Sequence, residues 1–174
     1  FFEVVYGMER AKAASLPSLI FLGMCAGSLI LPAIAEKFKI YRQIVLTSAV
    51  VMAGLFFLLL FSRLHSGSLQ VVMFCTGVFS AYQILAIYLN SLNAPAAYSS
   101  LVTAITNMVI MSFGYVFHSA IGMVMTWVWD GAIKGSVPVY QSESYIYGLF
   151  IIPVALLVSF IGFVRLGYLG SRVK

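Results

Sequence analysis

Apolar residues fill this chain in long runs, and short charged clusters separate the runs. No Asp, Glu, Lys or Arg occurs from Ala13 to Ala35, from Gln43 to Ser62, from Leu64 to Trp129, or from Ser144 to Val164. A membrane-spanning helix needs about 20 mainly apolar residues. The three shorter runs hold one span each and the long run holds two. The pattern predicts an all-α integral membrane protein with five spans, at about 16–35, 44–61, 69–89, 98–127 and 147–168. "NSLNAP" stops the third, because Pro95 and the residue before it resist helix. The fourth is longer than a bilayer is thick, so it tilts or protrudes. "DGAIKGSVPVYQSES" reads as a loop, and residues 1–15 as the end of a truncated helix followed by an extracytoplasmic loop.

The spans differ in polarity. The second and last are almost uniformly apolar, which suits helices that face lipid on most sides. The others carry glycines and polar groups. Gly23 and Gly27 form a GxxxG pair that permits close approach of a neighbouring backbone. At 100° per residue, Thr76, Ser80, Gln83 and Asn90 share one face of the third span. Thr103, Asn107, Gly114 and His118 share a face of the fourth. Two outer and three inner helices around a polar interior are expected.

Composition agrees with that class. The 174 residues are 62% hydrophobic and 9% charged, with a mean hydropathy of +1.04. A soluble domain of this size needs far more charge to cover its surface. The formal charge of +5 does not point to nucleic acid, since the bases sit at span ends instead of forming a patch. One side receives Lys37, Lys39, Arg42, Arg172 and Lys174, with Arg165 close by. The other receives Arg10, Lys12, Arg63 and Lys134, balanced by Glu3, Glu9, Asp130 and Glu143. Bases in short loops favour the cytoplasm, which puts the C-terminus there. Cys25 and Cys75 fall within spans and read as small core residues. Trp127, Trp129, Tyr145 and Tyr168 lie at span ends, as an interfacial belt would.

The passage "PAIAEKFKIYRQ" gathers Glu36, Lys37, Lys39 and Arg42 between two apolar spans. It is similar to the cytoplasmic signature G-x-L-A-D-R-x-G-R-R-R of the major facilitator superfamily of secondary transporters. Glu36 takes the acidic position, Lys37 the first basic one and Arg42 the trailing base. Pro32 and Lys39 stand where the signature has glycines, and Ile40 and Tyr41 where it has bases. "NAPAAYSSLVTAITNMVIMSFGYVFHSAIG" further resembles the passage into the eleventh helix of that family. The resemblance covers essentially the whole chain. It implies the end of the seventh helix and the eighth to twelfth helices, hence the C-terminal half of a transporter. It also implies a tenth helix facing a central cavity, outer ninth and twelfth helices, and a partner in the missing N-terminal helices. Glu36, Lys37 and Arg42 would form a cytoplasmic gate motif, with Glu36 as its latch.

The function expected is transport of a small polar metabolite by alternating access, in a bacterial inner (plasma) membrane. Thr76, Ser80, Gln83 and Asn107 are the candidate cavity-lining residues, although Ser and Thr often only bond between helices. His118 is the candidate for proton coupling, because an ionisable group inside a span is a functional candidate. The competing role is a neutral imidazole bonded to a backbone carbonyl. No nucleophile elbow, phosphate-binding loop or metal-ligand spacing is present, so neither an enzyme nor a cofactor nor a metal is expected. A non-transporting scaffold or receptor subunit, or half of a multidrug exporter, fits the same composition.

Overall fold

A computed structural model describes residues 1–135 and 137–172, without the side chains of Lys134 and of residues 166–172. The bases expected at Arg172 and Lys174, the Lys134 ammonium and the Tyr168 ring lie outside that description. The elements are α1 (Phe2–Val5), α2 (Arg10–Phe38), α3 (Tyr41–Phe61), α4 (Ser66–Ser80), α5 (Tyr82–Leu92), a 3-10 turn (Ala96–Tyr98) and α6 (Ser99–Trp127), followed by β1 (Ile133–Lys134), β2 (Val137–Pro138) and α7 (Ser142–Arg172). With α4 and α5 taken together, five helical segments are long and apolar enough to cross a membrane. The region read as a plain loop carries a small antiparallel hairpin, with Ile133 opposite Pro138. Trp129 is tied to that hairpin, its indole N–H donating to the Ala132 and Val139 carbonyls. Residues 10–15 are helix, not loop. Ala11, Ala13 and Ala14 are strong helix formers and extend α2 beyond its apolar run.

Two interruptions have local causes. Lys39, at φ 55° and ψ 36°, closes α2 in the left-handed region. The Ile40 N–H reaches back to the Ala35 carbonyl at 3.1 Å, which is the 6→1 bond of a Schellman motif. Glycine usually holds that position. The third span breaks at Ala81, where no proline or glycine stands. The Ser80 hydroxyl donates to the Gly77 carbonyl at 2.7 Å. That carbonyl would be the helical partner of the Ala81 N–H, which turns to the Val78 carbonyl at 3.3 Å instead. A serine competing for backbone acceptors thus tightens one turn and separates α4 from α5.

Packing is closest between α2 and α4. A Cβ at Gly23 or Gly27 would overlap the backbone of Phe74 or Val78, and one at Gly77 would overlap Ile20. Three glycines therefore form the crossing, one of them supplied by the facing helix. Around it lie two apolar clusters. Leu31, Ala35, Ile44, Val45, Ala81 and Leu85 fill the α2–α3 turn end. Leu16, Leu59, Leu69, Val72 and Met73 fill the other.

The outer position expected for the second span is corrected. α3 buries Ile44, Val45, Ser48, Ala49, Met52, Ala53, Leu59 and Leu60, and it packs against α2, α4, α5 and α7. An all-apolar helix is equally soluble in lipid and in protein, so its hydropathy could not place it. α6 sits at the edge against α5 and α7 and buries none of its 29 residues. Cys25 is exposed on α2, contrary to a core position, and Cys75 is half-buried.

Candidate functional site

One end of the bundle collects the C-terminus of α2, the first turn of α3, the C-terminus of α5 and the start of α6. The charged signature lies here, but its members do not cluster. Among the described residues the ion pairs are Arg10–Glu3 at 3.8 Å and Lys12–Glu9 at 3.9 Å, both at the opposite end. Glu36 is exposed and joins neither. The Lys37 ammonium lies 5.5 Å from the centre of the Phe38 ring. Arg42 turns to α7, donating from Nη2 to the Phe163 carbonyl at 3.3 Å and the Val164 carbonyl at 3.4 Å. Its guanidinium also stands 5.8 Å from the Phe163 ring centre. The expectation that Glu36, Lys37 and Arg42 form one motif is corrected to this extent: both bases leave the acid. Neighbours on a helix end point in different directions, and each base found an aromatic face or a carbonyl.

Two cavities flank this end of α5. The first, of about 320 Å³, is bounded by Glu36, Tyr41, Leu85 and Tyr88, with Pro32 and Ile84. The Tyr41 and Tyr88 rings are 5.5 Å apart, tilted by 44°. The second, of about 460 Å³, is lined by the polar residues Arg42, Asn90, Asn93 and Thr106 and by the apolar residues Ala86, Leu89 and Phe163. Asn90 ties α5 to α6, its Nδ2 donating to Thr106 Oγ1 at 2.6 Å. The Asn93 Nδ2 donates to the Leu89 carbonyl at 3.0 Å.

The mid-span candidates are dispersed. Thr76 is 5% exposed on α4, and its hydroxyl returns to the Val72 carbonyl at 2.8 Å. It does not line a cavity, and the reading of it as cavity-lining is corrected: the side chain is buried within the bundle and its hydroxyl is spent on its own helix. Ser80 spends its hydroxyl on Gly77, as described above. Gln83 is half-buried, with Nε2 3.9 Å from the Met24 sulfur. Asn107 and His118 are exposed on α6, on the face that also carries Thr103 and Gly114. Half-buried Val102, Thr106, Ile110, Phe117 and Val124 mark the packed side of that helix. Neither cavity includes Thr76, Ser80, Gln83, Asn107 or His118.

The cavity residues that sequence reasoning passed over are Tyr41, Asn93, Thr106 and Phe163. Their only signal was position, since each lies at a span end on the same side. Comparison with known proteins returned no matching family model, curated sequence or solved structure.

Proposed function

We propose that this chain is the C-terminal portion of a secondary active transporter of the major facilitator type. It sits in a bacterial inner membrane with its C-terminus in the cytoplasm, and it moves a small polar metabolite by alternating access. The observation that carries the reading is the polar face of α6. Thr103, Asn107 and His118 lie exposed along one face of a mainly apolar spanning helix that buries no residue within this chain. Polar and ionisable side chains are costly against hydrocarbon and favour a bundle interior or a water-filled cavity. A second set of helices across that face would enclose such a cavity, and an alternating-access site forms between two such halves. Gln83 and Ser80, on α5 and at the end of α4, are the nearest candidates for further contacts to substrate. Glu36, which pairs with no base among the described residues, is left to a partner in the other half. No step of this function calls for a cofactor or for covalent chemistry.

Reconstitution tests the reading. The protein carrying its N-terminal helices should show saturable uptake of a metabolite into liposomes, competed by unlabelled substrate. These 174 residues alone should show none. Specific, competable uptake by this chain alone would sink the proposal, and so would failure of the longer protein across amino acids, sugars and nucleosides.

A further inference from the structure

The cavity between α3, α5, α6 and α7 has the chemistry of an anion site. Arg42 brings a permanent charge, since a guanidinium does not lose its proton in proteins. Its bonds to the Phe163 and Val164 carbonyls come from Nη2, which leaves Nη1 and Nε free to donate. Among the described residues neither ion pair involves Arg42 and no carboxylate lines the cavity. Asn90 and Asn93 each spend one amide hydrogen inside the protein, and each amide nitrogen keeps a second. Thr106 has no hydrogen left to offer, since its hydroxyl donates to the Val102 carbonyl at 2.7 Å and accepts from Asn90. A cation outside the ion pairs of the described residues and spare N–H donors therefore line one cavity.

The rest of the lining is apolar, made by Ala86, Leu89 and Phe163. A ligand matched to both kinds of lining carries a phosphate beside a hydrocarbon part. The location agrees, because Arg42 is in the first turn of α3 and Asn90 in the last turn of α5. Those are the depths at which a spanning helix leaves the hydrocarbon for the head-group layer, and basic pockets between span ends suit anionic head groups. About 460 Å³ accommodates a glycerol phosphodiester. The geometry points to a binding site for the phosphate of an anionic lipid, clamped by Arg42 with Asn90 and Asn93. The site belongs to this chain alone and does not depend on the transporter reading.

Native mass spectrometry of the full chain, released from mild detergent, tests it with three probes: dioleoylphosphatidylglycerol, dioleoylphosphatidylcholine and soluble glycerol phosphate. Phosphatidylglycerol should be retained over phosphatidylcholine. Arg42→Gln should lower its apparent affinity about tenfold, the loss expected for one charge-assisted contact. Lys37→Gln, on the same turn but outside the cavity, should leave it unchanged. If Arg42→Gln does not fold, Asn90→Asp decides, because it removes the amide donor and puts a carboxylate in the cavity. It should weaken phosphatidylglycerol to a similar degree. Competition by glycerol phosphate supports the site and assigns it to a soluble phosphate ester. Equal retention of phosphatidylglycerol by the unaltered chain, Arg42→Gln and Asn90→Asp overturns the proposal.

Discussion

Gly77 of α4 lies directly against the Ile20 carbonyl of α2, so close that even a methyl group at Gly77 would overlap that oxygen. Gly23 and Gly27 make the reciprocal approach to Phe74 and Val78. Within a membrane, helices associate by packing and not by escape from water, so the distance between backbones governs the strength of the contact. A carbonyl oxygen cannot rotate away as a flexible side chain can. The two helices would have to separate.

Gly77→Ala should therefore cost about 1–3 kcal/mol, toward the upper end of what overpacking costs. Gly54→Ala is the control, because nothing lies within 4 Å of its added methyl. It should be neutral or slightly stabilising through helix propensity. Thermal unfolding in a mild detergent compares the two. Equal stabilities would mean that α2 and α4 are not held at this distance.

Lys39 carries a left-handed backbone that costs an L-residue about 1–2 kcal/mol. Lys39→Gly removes that strain but gives the unfolded chain more freedom, which leaves a net gain of about 0.5–1 kcal/mol. Lys39→Ala keeps the strain and removes the charge, so it should not stabilise. A gain from alanine equal to that from glycine would trace the effect to charge.

The Tyr6 hydroxyl donates to the Leu59 carbonyl at 2.6 Å and lies 3.1 Å from that of Ser62, which ties the first residues to the end of α3. Tyr6→Phe should cost about 1 kcal/mol, the typical net value of one hydrogen bond. Burial raises this phenol above its ordinary value, against the opposing pull of Arg63. The folded state thus holds the proton more tightly than the unfolded chain does. Its contribution is complete below pH about 10 and is lost as the pH climbs through the folded value. An alkaline melt in which Tyr6→Phe and the parent lose stability in parallel would contradict this.

Single cysteines in an otherwise Cys-free, longer protein should divide the polar positions. At Asn107, His118 and Gln83 they should react with a water-soluble maleimide, and substrate should slow the reaction. At Thr76, buried within the bundle, a cysteine should not react. His118→Gln then separates two roles: loss of the pH dependence of uptake assigns coupling to the imidazole, and an unchanged profile assigns packing. Labelling at Thr76 as fast as at Asn107 would show that this position is not buried.

Charge-free runs longer than about 20 residues can only be buried in lipid or protein, so the number of spans and the places where they turn were legible in the residues. The GxxxG pair announced a close contact for the same local reason: only a missing Cβ admits another backbone. Which helix supplied the contact was not legible, because Gly77 is a single glycine with no repeat around it. Helical arithmetic placed Thr76, Ser80 and Gln83 on one face, but the break at Ala81 falls between them. That break depends on where the Ser80 hydroxyl turns, which no periodicity reports. Hydropathy made α3 one of two outer helices, whereas packing put it against four other helices. The charged turn showed the same limit. Glu36, Lys37 and Arg42 were visible as a cluster in the chain, yet the fold sent Arg42 to Phe163 on α7, 121 residues away. Sequence alone determined what each segment could be buried in, since that follows from its own composition. Only the tertiary structure decided what each one is buried against, because that choice belongs to pairs of surfaces distant along the chain.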